Sequence, residues 1–183
     1  MSDSQTPQSF ANAHVAWLVC LYVVLSKVRR EGLMSIEADI EYCARPESVF
    51  HQFPQTQTQP YLEFAADVLR MMVGGNLNGE ELTVYAEHYI AGLTAKGGVF
   101  SGAGADESLL RTIWLSLWAA MNGYAPQVAV EFGRQGVPVK LKPAFAELEE
   151  LLRTSRSQSR QQGKQRREGG LDAAAESFIA SLG

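Results

Sequence analysis

The sequence is short of the features that mark most specialised chemistries. Its 183 residues hold only two cysteines, Cys20 and Cys43, and three histidines, His14, His51 and His88, none at zinc-ligand spacing. No metal or other cofactor is expected. Two isolated cysteines build no disulfide framework, which points to a reducing, cytoplasmic setting. The polar leader Met1 to Ser9 has no positive region ahead of an apolar run, as a signal peptide would. The run Val15 to Leu25 is apolar at every position but is 11 residues long, against about 20 for a bilayer-spanning helix. A formal net charge of −4 with 20% charged residues gives no overall field for nucleic acid. The glycines between Lys96 and Asp106 lack the Gly-Lys-Ser/Thr ending of a phosphate loop and follow a helical pattern, so they read as a linker. Glu37, Asp39 and Glu41 are carboxylates without a nucleophile or base beside them, as expected of a helix surface rather than an enzyme.

What is present is helical periodicity, which predicts an all-α chain. The expected fold is one compact antiparallel bundle of about five or six helices. Two long helices, Val15 to Ala44 and Asp106 to Phe132, form its spine. In the first, Leu33, Ile36 and Ile40 recur on one stripe while Arg30, Glu37 and Glu41 share another. Arg29 falls on the apolar stripe of a straight helix, so either Gly32 shifts the phase or the Arg29 stem snorkels. Residues 46–60 read as a loop with one turn at Glu47 to His51, followed by a helix from Tyr61 to Val73 that Gly74-Gly75 stops. Asn78 and Asp106 are expected helix caps. In the second long helix Leu110, Trp114, Leu117, Met121, Tyr124 and Val128 form a seam, Gly123 admits a neighbour, and Pro126 kinks the chain near Asn122. Gly133 and Gly136 should end it. A helix begun at Pro143 would turn Phe145, Leu148, Leu151 and Leu152 inward.

The domain plan is a disordered leader at 1–10 and a helical domain at 11–153, with its Gly-rich linker at 96–106. A basic tether follows at 154–170, where Arg153 to Glu168 holds six basic residues and one acidic. A short amphipathic helix closes the chain at 171–183, carrying Leu171, Phe178, Ile179 and Leu182 as a docking stripe.

Two segments carry a family resemblance. The first runs through Arg29, Gly32, Ser35-Ile36-Glu37, Asp39-Ile40-Glu41, Arg45-Pro46-Glu47-Ser48, Val68-Leu69-Arg70 and Asn78. The second is Asn122-Gly123-Tyr124-Ala125-Pro126, then Ala129-Val130-Glu131-Phe132-Gly133-Arg134 and Glu147-Leu148-Glu149-Glu150. In this order they resemble the cytoplasmic insertion and tail of the MotA-type flagellar stator subunits, within the wider MotA/TolQ/ExbB proton channel family. The family's four membrane helices have no counterpart, and the Gly-rich linker stands where its second membrane hairpin would be. The resemblance therefore implies no proton path and no torque generation.

It does imply partners. In the family a basic and an acidic residue on this segment face the rotor switch protein, and the matching positions are Arg29 and Glu37, with Arg30 and Glu41 beside them. Gly32, Gly123 and Pro126 shape the helices behind. The function expected is a cytoplasmic interaction module, recruited to the flagellar motor, that binds the rotor switch complex or the stator and modulates motility without conducting ions. The alternative is a non-flagellar adaptor that docks another partner through its C-terminal helix. Trp17, Tyr22, Trp114 and Trp118, freed of membrane neighbours, are expected to expose apolar surface and to favour a homo-oligomer or a dedicated partner. Association with a membrane would be peripheral at most.

Overall fold

The computed structural model describes residues 10–75, 78–95 and 105–158, which are helical and contain no strand. The all-α expectation holds. The helices are α1 (Ala13–Glu31), α2 (Glu37–Glu41), α3 (Tyr61–Gly74), α4 (Gly79–Thr94), α5 (Glu107–Met121), α6 (Pro126–Gly136) and α7 over 145–158, with 3₁₀ turns at Leu33–Ile36, Phe50–Gln52 and Pro54–Thr56.

The apolar run makes α1 the centre of the bundle, since every residue from His14 to Leu25 is buried. A helix without a polar face must be covered all round. The covering comes from α5 and α6 and from the 46–60 segment, which drives Val49, Phe50 and Phe53 into the core. That segment is the expected connection, with 3₁₀ turns at Phe50–Gln52 and Pro54–Thr56, and it packs into the core. Trp17 is wholly buried beside Phe50, while Tyr22 and Trp114 are 6% and 3% exposed and Trp118 is half-buried. The expected aromatic surface is thus the core itself, and the basis it offered for self-association is gone.

Both expected spine helices are broken. The Asn12 side chain caps α1, and Gly32 ends it with φ 87°. The second spine helix stops at Met121, Gly123 turns the chain with φ 85°, and Pro126 starts α6 as its first residue. This is a full reversal instead of a kink. Gly123 has nothing within 4 Å, so it serves the turn and admits no neighbour. The seam therefore ends at Met121, leaving Tyr124 and Val128 47% and 44% exposed.

Helix α6 folds back on α5, and Gly133 is where they touch. A Cβ there would lie 1.9 Å from Ser116 Oγ, 2.7 Å from the Thr112 carbonyl and 3.0 Å from Leu18 Cδ2. Gly133 thus lies inside the helix as a contact point and does not end it. The start of α1 meets the start of α5, where His14 Nε2 lies 2.9 Å from Ser108 Oγ. These two helices consequently run in the same direction, and it is α6 that lies antiparallel to α1. Capping follows expectation elsewhere: Asn78 and Glu81 form a reciprocal capping box on α4, and Asp106 accepts from the Ser108 N–H. In α7, Leu148 and Leu152 are buried and Leu151 is half-buried, but Phe145 is 58% exposed. That helix extends to residue 158, past the expected start of the tether at 154.

Two outcomes test this packing. Gly133→Ala should lower unfolding free energy by about 1–3 kcal/mol, measured by urea denaturation. Ser116→Ala should restore part of the loss because it removes the nearest atom. Burial holds the His14 imidazole below its ordinary pKa despite the nearby Asp106 carboxylate. The unfolded chain then takes up that proton first, so stability is full above about pH 6.5 and declines as pH falls through that value. Urea midpoints of His14→Gln, compared with wild type between alkaline and mildly acidic pH, should show a flatter profile.

Candidate functional site

The break at Gly32 builds a corner. Its N–H still donates to the Val28 carbonyl at 2.9 Å, and its carbonyl accepts from Ser35 Oγ at 2.6 Å. The chain then turns through Leu33–Ile36 into α2. Lys27 Nζ reaches Asp39 Oδ2 at 2.6 Å across 12 residues, which a continuous helix would hold about 18 Å apart along its axis. The other Asp39 oxygen accepts the Val49 N–H at 2.8 Å. Asp39 is 5% exposed and so is a structural pin, where the sequence suggested a surface carboxylate.

The corner resolves the phase of Arg29. Ile36 and Ile40 are buried and Leu33 half-buried, while Arg29 ends α1 on its exposed side. Arg29 and Glu37 are both exposed and form no ion pair among the described residues. The other two candidates are engaged: Arg30 Nη2 lies 3.4 Å from Glu31, and Glu41 accepts from Arg70 Nε at 3.0 Å. Arg70 also holds Asp67 at 2.6 Å. Desolvation raises the pKa of the half-buried Cys43 thiol, and burial pushes Cys20 far higher, so neither is poised as a nucleophile.

The candidates do not form one cluster. Arg29, Arg30 and Pro126 line one groove, together with Tyr22, Ser26, Ala125, Gln127 and Arg156. Glu41 borders a separate hollow with Tyr42, Asp67 and Arg70, and Glu37 lines neither. Three residues escaped sequence reasoning. Met34 is 63% exposed on the turn between Arg29 and Glu37, and Tyr42 is 50% exposed under the Arg45 guanidinium, 3.6 Å from its ring centroid. Met and aromatic residues are enriched where proteins meet, but in a presumed continuous helix neither position stood out. Arg156 was assigned to the tether. Leu171, Phe178, Ile179 and Leu182 lie outside the described residues. No group of three or more His, Cys, Asp or Glu among the described residues is arranged to hold a metal, and no described helix is long and apolar enough to cross a membrane.

Asp39→Ala should cost about 1–3 kcal/mol by leaving the buried Val49 N–H unpaired, and hydrogen exchange at Val49 should quicken with it. Unchanged exchange would show that the corner stands without this carboxylate.

No family model and no solved structure matches the chain. Two curated proteins do. Motility protein A of Salmonella typhimurium is 25% identical over 213 residues, covering 79% of this chain and 72% of that protein. Motility protein A of Escherichia coli is 23% identical over 212 residues, with the same coverage. Since 79% of 183 residues is about 145, about 68 of the 213 aligned positions are filled by the Salmonella protein alone. The chain is thus similar, at a distance and with large omissions, to Motility protein A.

Proposed function

We propose that this chain is a motility-linked interaction module that binds the rotor switch protein or the stator through its charged corner, and that it works by protein contact without conducting ions. The observation that carries this reading is the pair of unengaged charges, Arg29 and Glu37, held on either side of the Gly32 break. Nearby charges are spent on one another, as Arg70 is on Glu41 and Asp67. A cation and a carboxylate that are unpaired among the described residues, separated by a short corner, suit a partner helix bearing charges of both signs. Met34, exposed between them, supplies an apolar anchor. The similarity to Motility protein A supports a role in motility. Through this contact the module would modulate motility at the inner-membrane motor.

The test is binding of the purified chain to the rotor switch protein, with Arg29→Glu and Glu37→Lys beside wild type. Each substitution should weaken binding about tenfold or more and flatten its dependence on salt, with helical circular dichroism unchanged. Compensating charge reversals on the partner should restore affinity. Wild type that binds neither the rotor switch protein nor a stator subunit would sink the flagellar reading.

A further inference from the structure

A second property lies beside the corner. Among the described residues, the groove lined by Tyr22, Ser26, Arg29, Arg30, Ala125, Pro126, Gln127 and Arg156 contains three guanidinium groups and no carboxylate, and its volume is about 180 Å³. Like charges converge there from different elements: Arg29 and Arg30 from the last turn of α1, Arg156 from the last described turn of α7. Bringing three cations into one concavity raises the local potential, and clefts walled by protein focus it. Arg29 and Arg156 form no ion pair among the described residues. Two acids contact residues of the groove: Glu31 lies beside Arg30 at 3.4 Å, and Glu149 accepts from the Gln127 side chain at 3.4 Å.

The floor of the groove is the start of α6. Pro126 is its first residue, no side chain caps it, and the first described N–H bonded back is that of Ala129, to the Ala125 carbonyl. The Gln127 N–H is therefore free to meet an acceptor, at the helix end where the backbone dipoles favour negative charge. Ser26 also lines the groove. Arginine forks match phosphate oxygens in pairs, which a lysine point charge does not. At about 180 Å³ the groove is smaller than the roughly 300 Å³ of drug-sized sites, which leaves room for a phosphate group and not for a whole nucleotide.

We propose that this groove is a binding site for a phosphate group, carried either by a soluble phosphate compound or by a lipid headgroup. Arg29, Arg30 and Arg156 hold the oxyanion, the α6 N-terminus and Ser26 supply neutral donors, and the remainder of the ligand lies outside. The proposal concerns the chain alone and stands whether or not the rotor switch protein is its partner.

The probe is inorganic pyrophosphate, titrated into the full chain at constant ionic strength with chloride as the matched control, and read by calorimetry and by melting temperature. Wild type should bind it, with the midpoint rising by about 2–4 °C at saturating ligand. Arg29→Gln and Arg156→Gln should each weaken binding about tenfold or more. Arg153→Gln should bind as wild type does, because Arg153 lies on the same helix, pairs with Glu150 and is absent from the groove. Circular dichroism checks that each variant folds. No binding to wild type, or binding that ignores Arg29→Gln and Arg156→Gln, would overturn the proposal. Co-sedimentation with phosphatidic acid vesicles distinguishes the sources: sedimentation displaced by pyrophosphate identifies a lipid headgroup, and pyrophosphate binding without sedimentation identifies a soluble phosphate.

Discussion

The carboxylate of Asp39 is the constraint on which the rest of the charged surface depends. With one oxygen it holds Lys27 at the end of α1, and with the other it receives the Val49 N–H from the following segment. Its own carbonyl accepts from Ser48 Oγ at 3.2 Å. Three stretches of chain that share no secondary structure are thereby locked at one point. The lock sets the angle between α1 and α2, and so the separation of Arg29 and Glu37. It also anchors the segment that delivers Phe50 and Phe53 to the core around Trp17. A buried carboxylate is costly unless fully partnered. Here each of its oxygens has a donor, so the core tolerates the charge and gains a fixed corner from it.

The two glycine breaks work together. Gly32 and Gly123 have φ of 87° and 85°, a region that other residues enter only at a cost of about 1–3 kcal/mol. Gly32 stops α1 at the height where Gly123 has just turned the chain into α6. The C-terminal end of α1 therefore meets the N-terminal start of α6. Opposed helix ends attract, because α1 ends in partial negative charge and α6 begins in partial positive charge. Arg29 and Arg30 suit the end of α1 for the same reason, and the groove with Arg156 results from that meeting.

Much of this was legible in the sequence where a signal is local. The run Val15 to Leu25 announced a helix buried on all sides, and Gly75, Asn78 and Asp106 marked helix ends through backbone conformation or capping chemistry. The apolar period of Ile36 and Ile40 also held. What failed depended on distant pairing. Periodicity continues in register across Gly32 and across Asn122 to Ala125, so nothing local distinguishes a bend from a reversal. The decisive facts are the Lys27 to Asp39 contact and the approach of Gly133 to Ser116 and Thr112. Glycine at 133 reads as a stop signal in sequence, whereas in the fold its missing side chain is the reason two helices can touch. Of the candidate site, Arg30, Glu37 and Glu41 were read from helical periodicity and Arg29 and Glu37 from resemblance, but which of them remain unengaged among the described residues could be decided only by their neighbours, Glu31 and Arg70 among them.

The burial of Trp17, Tyr22 and Trp114 changes the kind of recognition this surface can support. Had the aromatic residues been exposed, association would rest on a large apolar area and be long-lived. With them in the core, the exposed features near the corner include charges, Met34 and Tyr42. Charges at a rim act mainly on the rate of encounter and on the choice of partner, and they add little net affinity once desolvation is counted. A surface of this composition suits a contact that forms and releases quickly and that responds to salt. Because Arg29 belongs to both the corner and the groove, an anion seated beside Pro126 would neutralise part of the charge a partner meets. The two proposed sites would then be linked by one side chain, and occupancy of the groove would weaken the proposed contact between Arg29 and an acidic group of a partner without any change of fold.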